Sequence, residues 1–386
     1  LSMNTETVKG FRDIEGQEAL KQNEIKKIIS EIFELCGFEI VETPVIEYEE
    51  FVKGNNVNDE AVSDIFKLSD KGKRNLALRY EFTFQLKRLA QNKKLPYKRF
   101  QIGPVFRDEP ISANRSRQFT QCDVDIIGST IRDEAEILYL TKEILDKLNI
   151  KYKIYINNKK LLNEILDEQK ITNKNDVIKE IDKLDKLTEK EVKTNLKKYK
   201  AEKLLSVFKN KEAYFKKYSS YKYIEELKKY CKFYGVKVEF SSNLARGLSY
   251  YNGNVFEIKS NLKETICAGG SYLINGIQST GISFGVERIS QVSKLSFDDR
   301  KALVISIDRD KEAINLVKKL RKNKIKCSLF YGKPSKALEY CNSKNIQYAI
   351  FLGEEEIKKR KFTFKDLKSG KESKLSEKDM VKKLKS

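Results

Sequence analysis

Residues 97–127 read YKRFQIGPVFRDEPISANRSRQFTQCDVDII. Two runs in this stretch, 99–106 and 118–127, have the apolar and aromatic content of strands. Between them lies a polar loop carrying Arg107, Asp108, Glu109, Arg115 and Arg117. In the second run Phe119, Cys122 and Val124 alternate with Gln121, Asp123 and Asp125, the period of a half-buried strand. A basic loop joining antiparallel strands can hold guanidinium forks over a phosphate, with same-face strand residues as the floor beneath. An ordinary hairpin with a solvated charged loop also fits this stretch taken alone.

Outward from the hairpin, the chain divides by composition. Upstream, residues 18–36 carry apolar side chains at helical spacing (Leu20, Ile25, Ile28, Ile29, Ile32, Phe33) and stop at Gly37. Residues 38–46 read as a strand in which Pro44 belongs at an edge or kink, because proline cannot donate to a ladder. A hairpin follows over 65–80, turning at Lys71-Gly72-Lys73, and then a helix over about 82–91. Downstream of the central stretch the pattern predicts a helix over 133–148 and a strand over 151–156. From 157 to 232 glycine disappears and Lys, Glu, Leu and Ile take helical spacing, the signature of a helical insertion. Strand patterns return at 238–241, 254–259 and 265–268, with Gly269-Gly270 admitting either a close ligand approach or a bulge. Residues 281–289 (GISFGVERI) read as a strand breaking into a helix near Gly285, with Arg288 in its first turn. A lone cation there is unfavourable unless an anion sits beside it. After a linker at about 292–300 the pattern is βαβαβ, which implies a small α/β domain with a largely parallel sheet.

The 386 residues include 77 basic and 56 acidic side chains, a formal charge of +21, so a polyanion is the expected partner. The charge is not spread evenly: residues 301–386 hold 24 basic and 11 acidic side chains, a net +13. No apolar run approaches the length of a membrane span. Cys36, Cys122, Cys231, Cys267, Cys327 and Cys341 are scattered, with no C-x-x-C pair, and with no secretory signal at the start the expectation is a reducing, cytoplasmic setting. Histidine is absent, which excludes Ser–His–Asp and Cys–His catalysis and His-containing zinc sites. The chemistry must run on Arg, Glu, Asp, Gln or Tyr, or on a bound metal.

Three motifs in order resemble those of class II aminoacyl-tRNA synthetases: the strand with Pro44, the hairpin from Phe106-Arg107-Asp108-Glu109 to Arg117-Gln118-Phe119, and Gly285-Val286-Glu287-Arg288. Finer signatures (RQFTQCDVDIIG, ARGLSYYNGNVFE, CAGGSY and ALRYEFT) resemble the histidyl-tRNA synthetase family, and the C-terminal α/β unit resembles its anticodon-binding domain. The resemblance implies an α+β fold. Residues 1–156 and 233–294 would form a catalytic domain on an antiparallel sheet, 157–232 a helical insertion, and 301–386 the anticodon-binding domain.

The same resemblance implies a ligase that activates L-histidine with ATP to histidyl-adenylate and transfers it to tRNA(His). Arg107, Arg246 and Arg288 would be catalytic, with Arg107 at the α-phosphate and Arg288 at the γ-phosphate. Phe119 would stack on adenine, and Glu109 and Arg115 complete the nucleotide set. Glu81, Thr83 and Gln121 would hold the α-amino group, Asp125 and Tyr250 would read the imidazole, and Tyr251, Arg107 and Arg246 would border the same histidine site. Mg2+ is expected to ride on the ATP phosphates with no fixed protein cage, and the chain to act as a homodimer without membrane contact. Three departures stand out. Asp125 is a glutamate in bacterial members, so this form looks archaeal or eukaryotic; Ser249 replaces the aspartate of GLDYY; and Tyr80-Glu81-Phe82 replaces Pro-Glu-Gly. The competing expectation is a catalytically silent paralogue, serving as a regulatory or tRNA-sensing subunit.

Overall fold

The computed structural model describes residues 4–53, 64–111, 115–185, 187–245, 250–261, 265–295 and 301–385. Arg246 and Ser249 lie outside the described residues, as does part of the 292–300 linker. The chain divides into two compact units, residues 1–296 and 297–386.

In the first unit the strands are β1 (Glu39–Ile40), β2 (Ile46–Tyr48), β3 (Lys67–Ser69), β4 (Asn75–Leu78), β5 (Tyr97–Phe106), β6 (Gln118–Ile127), β7 (Tyr152–Asn158), β8 (Glu239–Phe240), β9 (Tyr251–Ser260), β10 (Thr265–Ile274) and β11 (Ile277–Gly285). Eight of them form one sheet in the order β1-β5-β6-β11-β10-β9-β7-β8. Its interior pairs are antiparallel, and only the short edge strands β1 and β8 run parallel to their neighbours. Strands β2, β4 and β3 make a separate small sheet.

One face of the large sheet is oily. Phe100, Cys122, Val124, Ile126, Ile282 and Phe284 point into it and are buried. Against them packs the helix Gly16–Leu35, whose buried Ile25, Ile29, Ile32 and Phe33 recur at helical spacing. The Phe33 ring lies 5.2 Å from Phe100 and 6.1 Å from Phe284. The helix Ile131–Lys147 lies beside it, started by Thr130 and Asp133 in a reciprocal capping box. Each such large apolar side chain removed from water contributes about 1.5–3 kcal/mol, so this layer holds the sheet. The opposite face carries a second apolar cluster with Leu86, Ala90, Tyr97 and Ile127 beside its polar side chains. The helix Tyr221–Phe233, near the end of the run read as a helical insertion, packs on Ile131–Lys147 and extends that layer.

Several elements differ from the sequence expectation. The strand anticipated over 38–46 breaks after Ile40, because Pro44 has no N–H to give. The intervening Thr43 is satisfied by side chains instead: its carbonyl accepts from Arg79 Nη1 at 2.8 Å and its hydroxyl from Gln101 Nε2 at 2.9 Å. The strands expected at 254–259 and 265–268 run longer, as β9 and β10. Gly269 and Gly270 lie inside β10, with a register shift between Gly270 and Tyr272. A Cβ on Gly269 would stand 2.1 Å from the Gly281 carbonyl oxygen, and one on Gly270 2.6 Å from that of Asn254. Neighbouring backbone makes the close approach there.

In the second unit β12 (Ala302–Ser306), β13 (Cys327–Tyr331) and β14 (Tyr348–Leu352) are parallel, and β15 (Phe362–Asp366) and β16 (Glu372–Leu375) add antiparallel, in the order β13-β12-β14-β15-β16. Alternate residues feed two cores: Ala302 and Val304 face the helices Asp310–Lys322 and Glu377–Lys385, while Leu303 and Ile305 face the helix Pro334–Ser343. No helix among the described residues is long and apolar enough to cross a membrane.

Candidate active site

Register fixes the floor of the site. On β6, Gln121, Asp123 and Asp125 stand opposite Gly285, Ser283 and Gly281 of β11, and Ser283 and Gly281 stand opposite Ala268 and Gly270 of β10. Cross-strand partners share a face, so the polar side chains of β6 stand beside a row of small residues across the middle of the sheet. Gly281 is obligatory there: a Cβ would lie 2.1 Å from Asp125 Oδ1, so the carboxylate occupies the room its missing side chain leaves. Phe119 shares the face of Gln121, whereas the sequence pattern grouped it with Cys122 and Val124.

The walls bring together most of the anticipated residues. Glu81, between β4 and the helix Thr83–Leu89, is buried, and the Thr83 hydroxyl hydrogen-bonds to it. Gln121 Nε2 donates to both Asp123 oxygens at 3.0 Å, and its Oε1 accepts from Arg107 Nη2 at 3.1 Å. Arg107 also donates to the Tyr80 carbonyl at 3.4 Å, and its guanidinium lies 4.4 Å from the Tyr80 ring centroid and 5.0 Å from that of Phe119. Tyr250 and Tyr251 pack against Tyr272, at ring separations of 5.6 and 6.5 Å, as an aromatic wall. Asp125 accepts the Tyr272 hydroxyl on Oδ1 and pairs through Oδ2 with Arg99 Nη2 at 2.7 Å.

Burial sets the electrostatics. It pushes the Glu81 carboxyl up to about 7, with the Asp123 charge adding and Arg107 opposing. It pushes Asp123 up to about 6, with Asp125 adding and Arg99 opposing. Asp125 is also raised by burial, against the pull of Arg99 and the Tyr272 hydroxyl. Three carboxyls crowd two guanidiniums, which favours a cationic ligand. Beyond them the loop is held by exposed pairs, Arg115 to Glu109 and Arg117 to Asp108, both at 3.0 Å. Such pairs contribute about 0–1 kcal/mol and yield readily to a phosphate. Arg288, one turn past Gly285, donates to the Thr265 carbonyl at 3.1 Å. Among the described residues no group of three or more carboxylates or thiols could hold a metal ion.

The sequence pattern did not single out Arg99 or Tyr272. Arg99 was nonetheless legible. The hairpin closes with Arg107 N–H donating to the Arg117 carbonyl at 2.8 Å, and equal steps back and forward from that pair set Arg99 opposite Asp125. Tyr272 closes the CAGGSY motif, but nothing in the sequence paired it with Asp125, because it arrives from β10, 147 residues along the chain.

The profile of the family described as "Histidyl-tRNA synthetase" matches residues 10–289, and a second, "Anticodon binding domain", matches 301–386. The chain belongs to the histidyl-tRNA synthetase family. Among its curated relatives in that family, "Histidine--tRNA ligase 1" of Bacillus cereus is 32% identical, over 97% of this chain and 95% of its own length. "Histidine--tRNA ligase" of Wolinella succinogenes is also 32% identical, over 94% of each. The crystal structure of histidyl-tRNA synthetase from Nostoc sp. PCC 7120 superposes with a TM-score of 0.85 at 23% identity, covering 100% of this chain and 99% of that one, and so shares the fold.

Proposed function

We propose that the chain is a histidine–tRNA ligase that joins L-histidine to the 3′ end of tRNA(His) through histidyl-adenylate, in the cytoplasm. One observation carries the reading: Arg107 hydrogen-bonds to Gln121 beside the buried carboxyls of Glu81, Asp123 and Asp125, so a cation site adjoins an anion site. An amino acid meeting ATP needs that pairing. Glu81, Thr83 and Gln121 receive the α-ammonium, and Asp125 with Tyr250 and Tyr251 reads the imidazole. The substrate carboxylate then faces the α-phosphate beside Arg107, with Phe119 beneath the adenine and Glu109 and Arg115 along the loop.

Attack of that carboxylate on the α-phosphorus breaks the bond to the β-phosphate and expels pyrophosphate; negative charge gathers at phosphorus, and fixed guanidiniums stabilise it without reorganising. Arg107 acts from the hairpin, and Arg246 and Arg288 from the two later motifs. No general base is required, because the attacking carboxylate is already ionised at neutral pH. The lack of histidine therefore costs the mechanism nothing. Mg2+ would enter with ATP as part of the substrate and neutralise part of its phosphate charge.

The basic second unit would grip the tRNA anticodon arm. A homodimer would form over β1, at the edge of the large sheet, and β2, at the edge of the small one, where Ile40, Ile46 and Tyr48 are at least half exposed. A silent regulatory paralogue is disfavoured by the retention of Arg107 and Arg288 together with the anticodon-binding unit. Histidine-dependent exchange of pyrophosphate into ATP is the deciding measurement. Robust exchange is expected; none from folded protein would eliminate the ligase reading.

A further inference from the structure

Arg99 is the largest side chain in the fully buried core, at 0% exposure, and it faces the pocket side of β5 directly opposite Asp125. Its Nη2 reaches Asp125 Oδ2 at 2.7 Å and donates to the Phe82 carbonyl at 3.2 Å. Nε and Nη1 find no acceptor among the described residues. A buried guanidinium with unmet donors is a poor stabilising device; replacing buried ion pairs with apolar residues is often neutral or stabilising. What this one achieves is geometric. It touches the two recognition elements at once: the carboxylate on β6, and the backbone of the residue after Glu81. Asp125 is thereby fixed from both sides, Oδ2 by Arg99 and Oδ1 by the Tyr272 hydroxyl, while Gly281 leaves the room the carboxylate occupies. An aspartate reaches one methylene less far than a glutamate, so its placement matters more.

We propose that Arg99 is a positioning residue for amino-acid recognition, holding Asp125 and the Glu81 turn at the separation that a histidine side chain and ammonium require. The proposal rests on the reading of Asp125 as the imidazole-binding carboxylate. It places Arg99 outside the reaction itself: it touches neither ATP nor the reacting atoms, and acts through Asp125 and Glu81.

The test is pyrophosphate exchange with separate KM values for histidine and ATP, on the full chain, with near-ultraviolet circular dichroism confirming the fold. Asp125→Asn should raise the histidine KM about fiftyfold or more and leave the ATP KM within about threefold. Arg99→Lys, which keeps the charge but loses the fork, should raise the histidine KM about tenfold with ATP KM and kcat within about threefold. Because Arg99 acts largely through Asp125, Arg99→Met combined with Asp125→Asn should be no more than about threefold worse than Asp125→Asn alone. This neutral double variant also decides the matter if Arg99→Lys fails to fold. A histidine KM unchanged in Arg99→Lys, an equal rise in both KM values, or a double variant about tenfold worse than Asp125→Asn would each overturn the proposal. An unchanged histidine KM in Asp125→Asn would instead overturn the underlying reading of Asp125, and the role of Arg99 with it.

Discussion

Glu81 illustrates how a single residue can be tuned for its ligand by an unfavourable environment. Burial and the neighbouring Asp123 raise its carboxyl to about 7, so near neutrality a proton competes with any ammonium for the same oxygens. The sign follows directly: as pH falls from about 8 to about 6 the wild-type site protonates and its hold on the α-ammonium weakens. Glu81→Gln has lost that charge at every pH, so its histidine KM should be higher throughout, by about thirtyfold or more at pH 8. The ratio of variant to wild-type KM should then shrink toward pH 6. Taking the ratio cancels titration of the substrate imidazole, which affects both proteins alike. A ratio flat across this range would separate Glu81 from ammonium binding.

At the scale of elements, the helix Ile131–Lys147 is joined to the sheet by a buried polar chain. Glu134 accepts from the Ser271 hydroxyl and from Asn254 Nδ2 at 2.6 Å, and Asn254 Oδ1 accepts from Asn158 Nδ2 at 2.7 Å. Asn158 in turn caps the helix Lys159–Glu168 through Lys160 N–H at 2.8 Å. Three strands and two helices therefore meet on one carboxyl, which burial pushes up to about 7. A carboxyl raised in the folded state binds its proton more tightly there than in the unfolded chain. Its contribution to stability is complete below the unfolded value near 4.5 and fades as pH rises through about 7. Glu134→Gln mimics the protonated carboxyl without the charge: its one carbonyl oxygen can accept from Asn254 Nδ2 while its amide donates to the Ser271 hydroxyl oxygen. The variant should match wild type near pH 5 and exceed it by roughly 1–3 kcal/mol at pH 8 in denaturant unfolding. Equal pH dependence in the two proteins would show that Glu134 does not set it. The edge strand β1 offers a second test: Ile40 is 69% exposed, and on the proposed homodimer reading wild type should run as a dimer and Ile40→Glu as a monomer in light scattering. An unshifted dimer would place the interface elsewhere.

For the whole molecule, the two units carry separate cores and, on the proposed reading, separate tasks. Deleting residues 301–386 should leave histidine-dependent pyrophosphate exchange within about threefold while tRNA charging falls about a hundredfold or more. Equal losses would mean that the second unit supports the catalytic core. Much of this plan was already in the amino-acid order. Alternation in 118–127, the closing pair of the hairpin and the concentration of charge after residue 301 are local or additive properties, readable without knowing what packs where. They determined the central hairpin and which face of it is polar; the βαβαβ pattern implied the α/β character of the second unit, and the family entered through the resemblance of the motifs. Tertiary structure decided the rest. Period-two alternation assigns a side chain to a face but does not name what it meets there, since sheet order sets that. Only the order β5-β6-β11-β10 sets Arg99, Asp125, Gly281 and Tyr272 side by side. The same order makes Gly269 and Gly270 points of backbone contact, and turns a row of small residues into the floor of a site.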